Sequence, residues 1–297
     1  MPFFHRPPHD RGPLRPQFPA PSPDGPPPQG SGRPPAGSTP PSLHTPASRA
    51  PAFLGALASS ALPSAGAPAN ALTETELRAA AQVGYAVVDL ETTGLSPASD
   101  TILEVAVVLT DPSGRTEASW STLINPGPST DVGPTHIHGL VAQDLLGAPS
   151  LDEVADRLVR DLAGRAVVAH NARFDVNFLT QALGRRRLLE PGTHVPRVCT
   201  MEWSRHFMTT PSRRLTTCCE VAGVKIGRHH SALDDARAAA GLLRHYMGVG
   251  RARGEEPVAW ARSLVEAWRF TGWHWDDERA QGADERFVTR QRPGALR

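Results

Sequence analysis

The chain has 297 residues, of which 39% are hydrophobic and 21% charged, with 30 prolines and a formal net charge of +1. That allows one or two domains, and because 19 of the prolines fall within residues 1–70 the folded part is expected to follow them. Roughly 225 residues then remain to bury a core, which excludes both a metal-stapled miniprotein and a fully disordered chain. Residues 1–70 carry 5 basic and 2 acidic side chains and the remainder 26 and 28, so the folded part is not basic. Charge alone does not decide the partner, since a site that grips its substrate through cations needs acidic residues. Lys225 is the one lysine among 31 basic residues, which reads as the bias of a GC-rich coding sequence. Cys199, Cys218 and Cys219 are odd in number and lack CxxC spacing, against a disulfide framework or a zinc site and for a reducing cytoplasm. Met1 to Gly12 lacks the apolar stretch of a secretory signal, and no run of 18 apolar residues predicts a membrane span.

Residues 1–72, rich in Pro, Gly, Ser and Ala, are expected to form a disordered tail with polyproline character. Thr73 followed by Glu74 and Glu76 predicts a capped helix through about Gln82. Strands are predicted over Tyr85–Leu90, Ile102–Thr110 and Glu117–Ile124, with Asp111-Pro112-Ser113-Gly114 as the turn between the second and third. Leu151–Leu162 places its apolar residues on one helical face, Ala166–Ala169 reads as a buried strand, and Phe174–Leu183 is again helical. A fifth strand near Val195–Thr200 and helices near Met201–Phe207, Leu215–Val221 and Leu233–Met247 complete residues 73–248, a mixed sheet with helices packed on it. Residues 249–297 hold four of the six tryptophans and a predicted helix over Val258–Phe270. Trp273 and Trp275 either pack this extension or stack on bases.

Three clusters carry chemistry. Asp89-Leu90-Glu91 ends the first strand, and residues two apart in a strand face the same way, so both carboxylates point to one spot. A pair of anions so close calls for a cation, and oxygen donors suit magnesium or manganese; a solvated acidic pair is the alternative. His170-Asn171-Ala172-Arg173-Phe174-Asp175 follows the buried strand, where Asp175 either serves a site or favours the helix dipole. His229-His230-Ser231-Ala232-Leu233-Asp234-Asp235 opens the last long helix, with His230 in the preceding loop and Asp235 one turn in.

In that order and over about Gly84 to Met247, these clusters resemble the DEDDh exonucleases, the group that includes the proofreading epsilon subunit of bacterial replicative DNA polymerase. The runs Val88-Asp89-Leu90-Glu91-Thr92-Thr93-Gly94-Leu95 and His170-Asn171-Ala172-Arg173-Phe174-Asp175 carry the likeness. The resemblance implies a ribonuclease H-like fold, with a mixed five-stranded sheet flanked by helices and its first three strands antiparallel. It implies four metal-binding carboxylates, Asp89, Glu91, Asp175 and Asp235, two Mg2+ or Mn2+ ions, and His230 as the catalytic histidine. His229 with Asp234 has the same spacing; alignment on Ala232-Leu233-Asp234-Asp235-Ala236 selects His230 with Asp235. Thr92, Thr93, Leu95, Asn171 and Phe174 are implied substrate contacts, and His138, in a His-Gly-Leu segment, is a phosphate contact or a structural histidine.

The implied activity is metal-dependent 3′ to 5′ hydrolysis of phosphodiester bonds, on nucleic acid with a free 3′ end. Thr92-Thr93, in place of the Met-Thr common in oligoribonucleases, points towards DNA, with single-stranded ends as the expected substrate, and an RNA-trimming exonuclease or a non-catalytic nucleic-acid-binding scaffold is the alternative. Neither Gln281-Gly282-Ala283 nor Gln291-Arg292-Pro293 resembles the clamp-binding peptide of the proofreading subunit. That leaves a DNA polymerase or repair partner open and favours an accessory or repair exonuclease. Because residues 1–70 contribute no motif and no core, their deletion is expected to leave the rest of the chain folded. Loss of the folded signal in circular dichroism would place the boundary elsewhere.

Overall fold

The computed structural model describes residues 72–227, 230–255 and 258–290, without the side chains of 258–260. The expectations for the Pro-rich tail and for His229 lie outside the described residues. Five strands form one sheet: β1 (Tyr85–Thr92), β2 (Ile102–Thr110), β3 (Thr116–Leu123), β4 (Ala166–Ala169) and β5 (Arg197–Cys199). Their order is β3-β2-β1-β4-β5, with β1, β2 and β3 antiparallel, β4 parallel to β1 and β5 parallel to β4. This is the ribonuclease H-like sheet that the resemblance implies.

In chain order the helices are α1 (Glu74–Ala80), the single turns α2 (Thr135–His138) and α3 (Ala142–Leu145), then α4 (Leu151–Leu162) and α5 (Ala172–Arg185). They continue with α6 (Thr200–Phe207), α7 (Leu215–Ala222), α8 (Ala232–Ala252), α9 (Val258–Arg269) and α10 (Asp277–Gly282), the last followed by a 3-10 turn over Ala283–Arg286. The capping box at Thr73 forms as the sequence suggests, with the Glu76 backbone N–H donating to Thr73 Oγ1 at 3.2 Å.

Strands β1 and β2 are buried almost throughout because helices cover both faces of the sheet. Ala86 and Val88 pack with Val154 and Leu158 of α4 and Val176 and Leu179 of α5. Tyr85 and Val87 point the other way, to Ala236, Ala239 and Leu243 of α8. The alternation continues along β1, so Asp89 and Glu91 belong to the α8 face. Because β1 and β4 are parallel, their carboxyl ends lie at the same edge of the sheet, where ligands bind in open α/β sheets.

Several elements exceed their sequence signals. Helix α5 starts at Ala172, two residues early, because Asn171 adopts a left-handed conformation (φ 73°) that turns the chain out of β4. Helix α8 runs on to Ala252. The single turns α2 and α3 are too short for periodicity to register. Trp273 is a packing residue: it is buried, meets Phe270 edge-on at 5.5 Å between ring centroids, and bridges to Leu189. The Trp275 indole N–H donates to Asp277 at 2.8 Å.

The end of the extension lies along β3. Asp284 and Arg286 form ion pairs with Arg157 and Glu153 of α4. Phe287 stacks on Trp120 with centroids 4.7 Å apart. The Val288 carbonyl accepts the Leu123 N–H at 2.7 Å, and its own N–H donates to Thr122 Oγ1 at 3.0 Å.

The loop after β3 passes tightly under the end of β1. Gly133 has φ 76°, and a Cβ there would sit 1.9 Å from the Thr93 carbonyl oxygen. Gly133→Ala combines overpacking with backbone strain and is expected to cost about 1–3 kcal/mol or more, read as a lowered thermal midpoint. An unchanged midpoint would mean that this contact is not held in solution.

Candidate active site

The antiparallel register pairs Asp89 with Ala106 and Glu91 with Glu104, and shifts between Glu91 and Thr92. Such an irregularity bends a strand and re-aims its end, here as the chain enters the Thr92-Thr93-Gly94 turn. Thr92 Oγ1 donates to the Gly94 carbonyl at 2.7 Å, and Thr93 Oγ1 donates to Asp100 at 3.3 Å while accepting the Thr101 N–H at 3.1 Å. Both hydroxyls therefore shape the turn. Leu95, at its tip, is 84% exposed.

From the α8 side, His230 sits one residue before the N-cap Ser231 in a left-handed conformation (φ 63°), and its backbone N–H donates to Asp235 Oδ2 at 3.2 Å. That bond folds the loop back onto the first turn of the helix. Donor atoms of Glu91, His230 and Asp235 lie within 4.8 Å of one another, a spacing that can hold a cation. Asp234, the neighbour with the same spacing to His229, lies instead against Gly227 and 3.8 Å from Arg237. The structure thus brings Asp235, and not Asp234, to Glu91.

Asp175 comes from the first turn of α5, buried, with a backbone hydrogen bond from Leu90 holding it against β1. Asp89 lies among all of these groups. Loss of solvation pushes its carboxyl well above the usual range, and repulsion from Asp175, Asp235, Glu91 and Glu104 pushes it further. Burial raises Glu91 to about 7 against the opposing pull of Arg290, and burial likewise raises Asp175 to about 7. Carboxylates held this way carry unneutralised repulsion, and oxygen donors with one imidazole nearby fit a hard divalent cation such as Mg2+ or Mn2+.

One expected contact has backbone partners instead. His138 is buried; its Nδ1 accepts the Leu140 N–H at 3.1 Å and its Nε2 faces the Val132 carbonyl at 3.0 Å. Both ring nitrogens face backbone partners, which favours the structural histidine of the two readings. Phe174 is half-buried and packs on Phe178 with centroids 4.9 Å apart, and Asn171 is exposed. His170, beside them, is spanned by Thr200 Oγ1 at 3.0 Å and the Arg213 carbonyl at 2.8 Å.

Sequence reasoning missed Glu104 and Arg290. Glu104 is 1% exposed, and its Oε2 accepts Arg290 Nε–H at 2.6 Å and the Ala232 N–H at 3.4 Å. A lone acidic residue inside the β-branched run of β2 was the available signal for Glu104. Nothing in the local sequence marks Arg290, which is delivered by the extension.

Carboxylates from β1, α5 and α8 thus gather at the carboxyl edge of a ribonuclease H-like sheet. Residues 86–243 match the family described as Exonuclease, and the chain belongs to that family, in its DEDDh group. It is 31% identical over 164 residues to a DNA polymerase III of PolC type from Clostridium perfringens, covering 54% of this chain and 11% of that protein. A PolC-type polymerase of Thermotoga maritima is 31% identical over 187 residues, or 63% of this chain and 14% of its own. The chain therefore spans only a small part of the curated relatives it matches. Among solved structures, Escherichia coli exonuclease I in complex with a dT13 oligonucleotide aligns with 58% of this chain and 43% of its own at 16% identity and a TM-score of 0.49.

The raised carboxyls tie stability to pH and cations. Between the ordinary carboxyl range and about 7, folded Glu91 and Asp175 keep protons that the unfolded chain has lost, so cation-free stability falls as pH rises through that window. A divalent ion competes with those protons. Mg2+ or Mn2+ should therefore raise the thermal midpoint more at about pH 8 than at about pH 5.5; an equal or smaller gain at the higher pH would contradict this account.

Proposed function

We propose that the protein is a metal-dependent 3′ to 5′ exonuclease that releases nucleoside 5′-monophosphates, preferring single-stranded DNA ends. The observation that carries this reading is the convergence of Asp89, Glu91, Asp175 and Asp235, from three separated segments, around one electrostatically strained spot beside His230. Asp89, Glu91, Asp175 and Asp235 would hold two Mg2+ or Mn2+ ions. Such ions, when bound, activate water and neutralise charge on the leaving oxygen.

His230 is the proposed general base. It is exposed at the mouth of the cluster, and its left-handed backbone is a costly conformation for a non-glycine residue, of the sort that persists at functional sites. An imidazole can take a proton from the attacking water and release it to solvent. Leu95 is the proposed contact to the terminal base, since an apolar side chain so exposed contributes nothing to the core. Phe174 would support it from α5, with Thr92, Thr93 and Asn171 shaping the pocket for the 3′ terminus. The DNA preference rests on Thr92-Thr93 and on relatives that are DNA polymerases. A DNA polymerase or repair complex is the proposed partner class.

Matched labelled DNA and RNA oligomers, digested with and without Mg2+ or Mn2+, test this reading. DNA shortened from a free 3′ end, with a 3′-phosphate blocking attack, is the expected result. Faster loss of RNA would reassign the substrate, and equal rates on blocked and free ends would remove the polarity.

The side-chain roles make a separate prediction. Asp89→Ala and Asp235→Ala should abolish hydrolysis while the fold persists. His230→Ala should lose about 10² to 10⁴ in rate, the usual cost of a general base, while still binding the cation in calorimetry. Substantial activity in both aspartate variants would refute the assigned ligand set.

A further inference from the structure

The extension reaches the acidic cluster through a single side chain. Arg290 is only 13% exposed, and it is fixed at two of its three nitrogens: Nε donates to Glu104 Oε2 at 2.6 Å and one terminal nitrogen donates to the His138 carbonyl at 2.6 Å. The other terminal nitrogen is buried, has no hydrogen-bond partner among the described residues, and stands 3.8 Å from Glu91 Oε1. The guanidinium therefore lies between Glu91 and Glu104, which the register sets directly opposite one another on β1 and β2. Like charges placed so destabilise a sheet unless something separates them.

The backbone that delivers Arg290 is anchored independently of it, by the Phe287–Trp120 stack and by the hydrogen bonds of Val288 to Thr122 and Leu123. Glu104, in turn, is pinned from a second side by the first N–H of α8. A buried carboxylate close to Asp89, Glu91 and Asp235 would be a fifth ligand offered to any cation there. Its Oε2 accepts from the guanidinium instead.

We infer that Arg290 is a positioning residue that acts as a fixed internal cation, withholding Glu104 from the metal-ligand set and aiming Glu91 at it. The charge count agrees: Asp89, Glu91, Glu104, Asp175 and Asp235 would be balanced by two divalent ions and one guanidinium. The residues after α9 thereby become part of the active site. The inference deepens the exonuclease reading and rests on it for its effect on turnover, but its effect on cation binding stands apart.

The test is calorimetric titration with Mg2+ alongside steady-state kinetics on a single-stranded DNA oligomer, for the full chain and three variants. Arg290→Gln frees Glu104 to bind, so Mg2+ should bind roughly tenfold more tightly, by simple charge attraction. Its kcat should nevertheless fall by about 10- to 100-fold, the usual cost of losing a partner that orients a ligand, while KM for the oligomer is unchanged. Glu104→Gln should do the opposite to the cation and weaken Mg2+ binding, because the guanidinium charge then falls on Glu91 alone. The double variant Arg290→Gln/Glu104→Gln should return Mg2+ affinity towards the wild-type value. A merely structural brace would lower affinity and rate together. Unchanged kcat in Arg290→Gln, weaker Mg2+ binding by it, or no recovery in the double variant would overturn the inference. If Arg290→Gln does not fold, Glu104→Gln decides, and unchanged or tighter Mg2+ binding by that variant overturns it. A wild-type chain that binds Mg2+ but digests no oligomer would refute the exonuclease reading, while the calorimetric series still judges Arg290.

Discussion

Mutual repulsion among carboxylates is the constraint around which this end of the molecule is organised. Asp89, Glu91 and Glu104 are each shielded from water to a degree that would alone favour the neutral form, and each has others of the same sign close by. Two kinds of countercharge relieve this. One is supplied by the chain, as the guanidinium held against Glu104. The other, on the proposed reading, would be a divalent ion taken from solution, which would link the free energy of the folded chain to its occupancy.

The rest of the fold keeps those groups from relaxing apart. A sheet covered on both faces fixes the spacing of β1 and β2, so Glu91 cannot retreat from Glu104 without breaking the ladder. Helix α8 is closely packed through Ala236, Ala239 and Leu243 and brings Asp235 down onto the strands. Asp175 is held by a helix whose Val176 and Leu179 are locked into the opposite core. Rigid apolar packing on each side thus sustains an arrangement that the charges themselves oppose, as in preorganised sites generally.

How much of this was legible in the sequence follows from the range of each signal. Strands with apolar runs and helices with a full apolar stripe emerged nearly residue for residue, as at Ile102–Thr110 and Leu151–Leu162. The pairing of Asp89 with Glu91 was legible because a period of two is a local property. Which of two adjacent His-Asp pairs faces the sheet was not a local property; it needed the motif alignment, and the position of Asp235 relative to Asp234 depends on how α8 is rotated about its axis. His138 was left between two readings because a histidine in a polar loop looks alike whether its nitrogens meet phosphate or backbone. Arg290 was invisible for a simpler reason: 186 residues separate it from Glu104, and no composition or spacing rule spans that distance.

The alternation of β1 carries a consequence for how this gene can vary. Odd and even positions of the strand serve different masters, one set packing under α4 and α5 and the other ending in the two carboxylates beneath α8. Deleting or inserting a single residue within Tyr85–Glu91 would exchange the two sets, driving acid into an apolar layer and turning valines towards the acidic cluster. Substitutions of similar size can accumulate there, but changes of length cannot. Length variation in relatives that keep this chemistry should collect in turns such as Asp111–Arg115, where the hairpin closes far along the strands from the acidic edge.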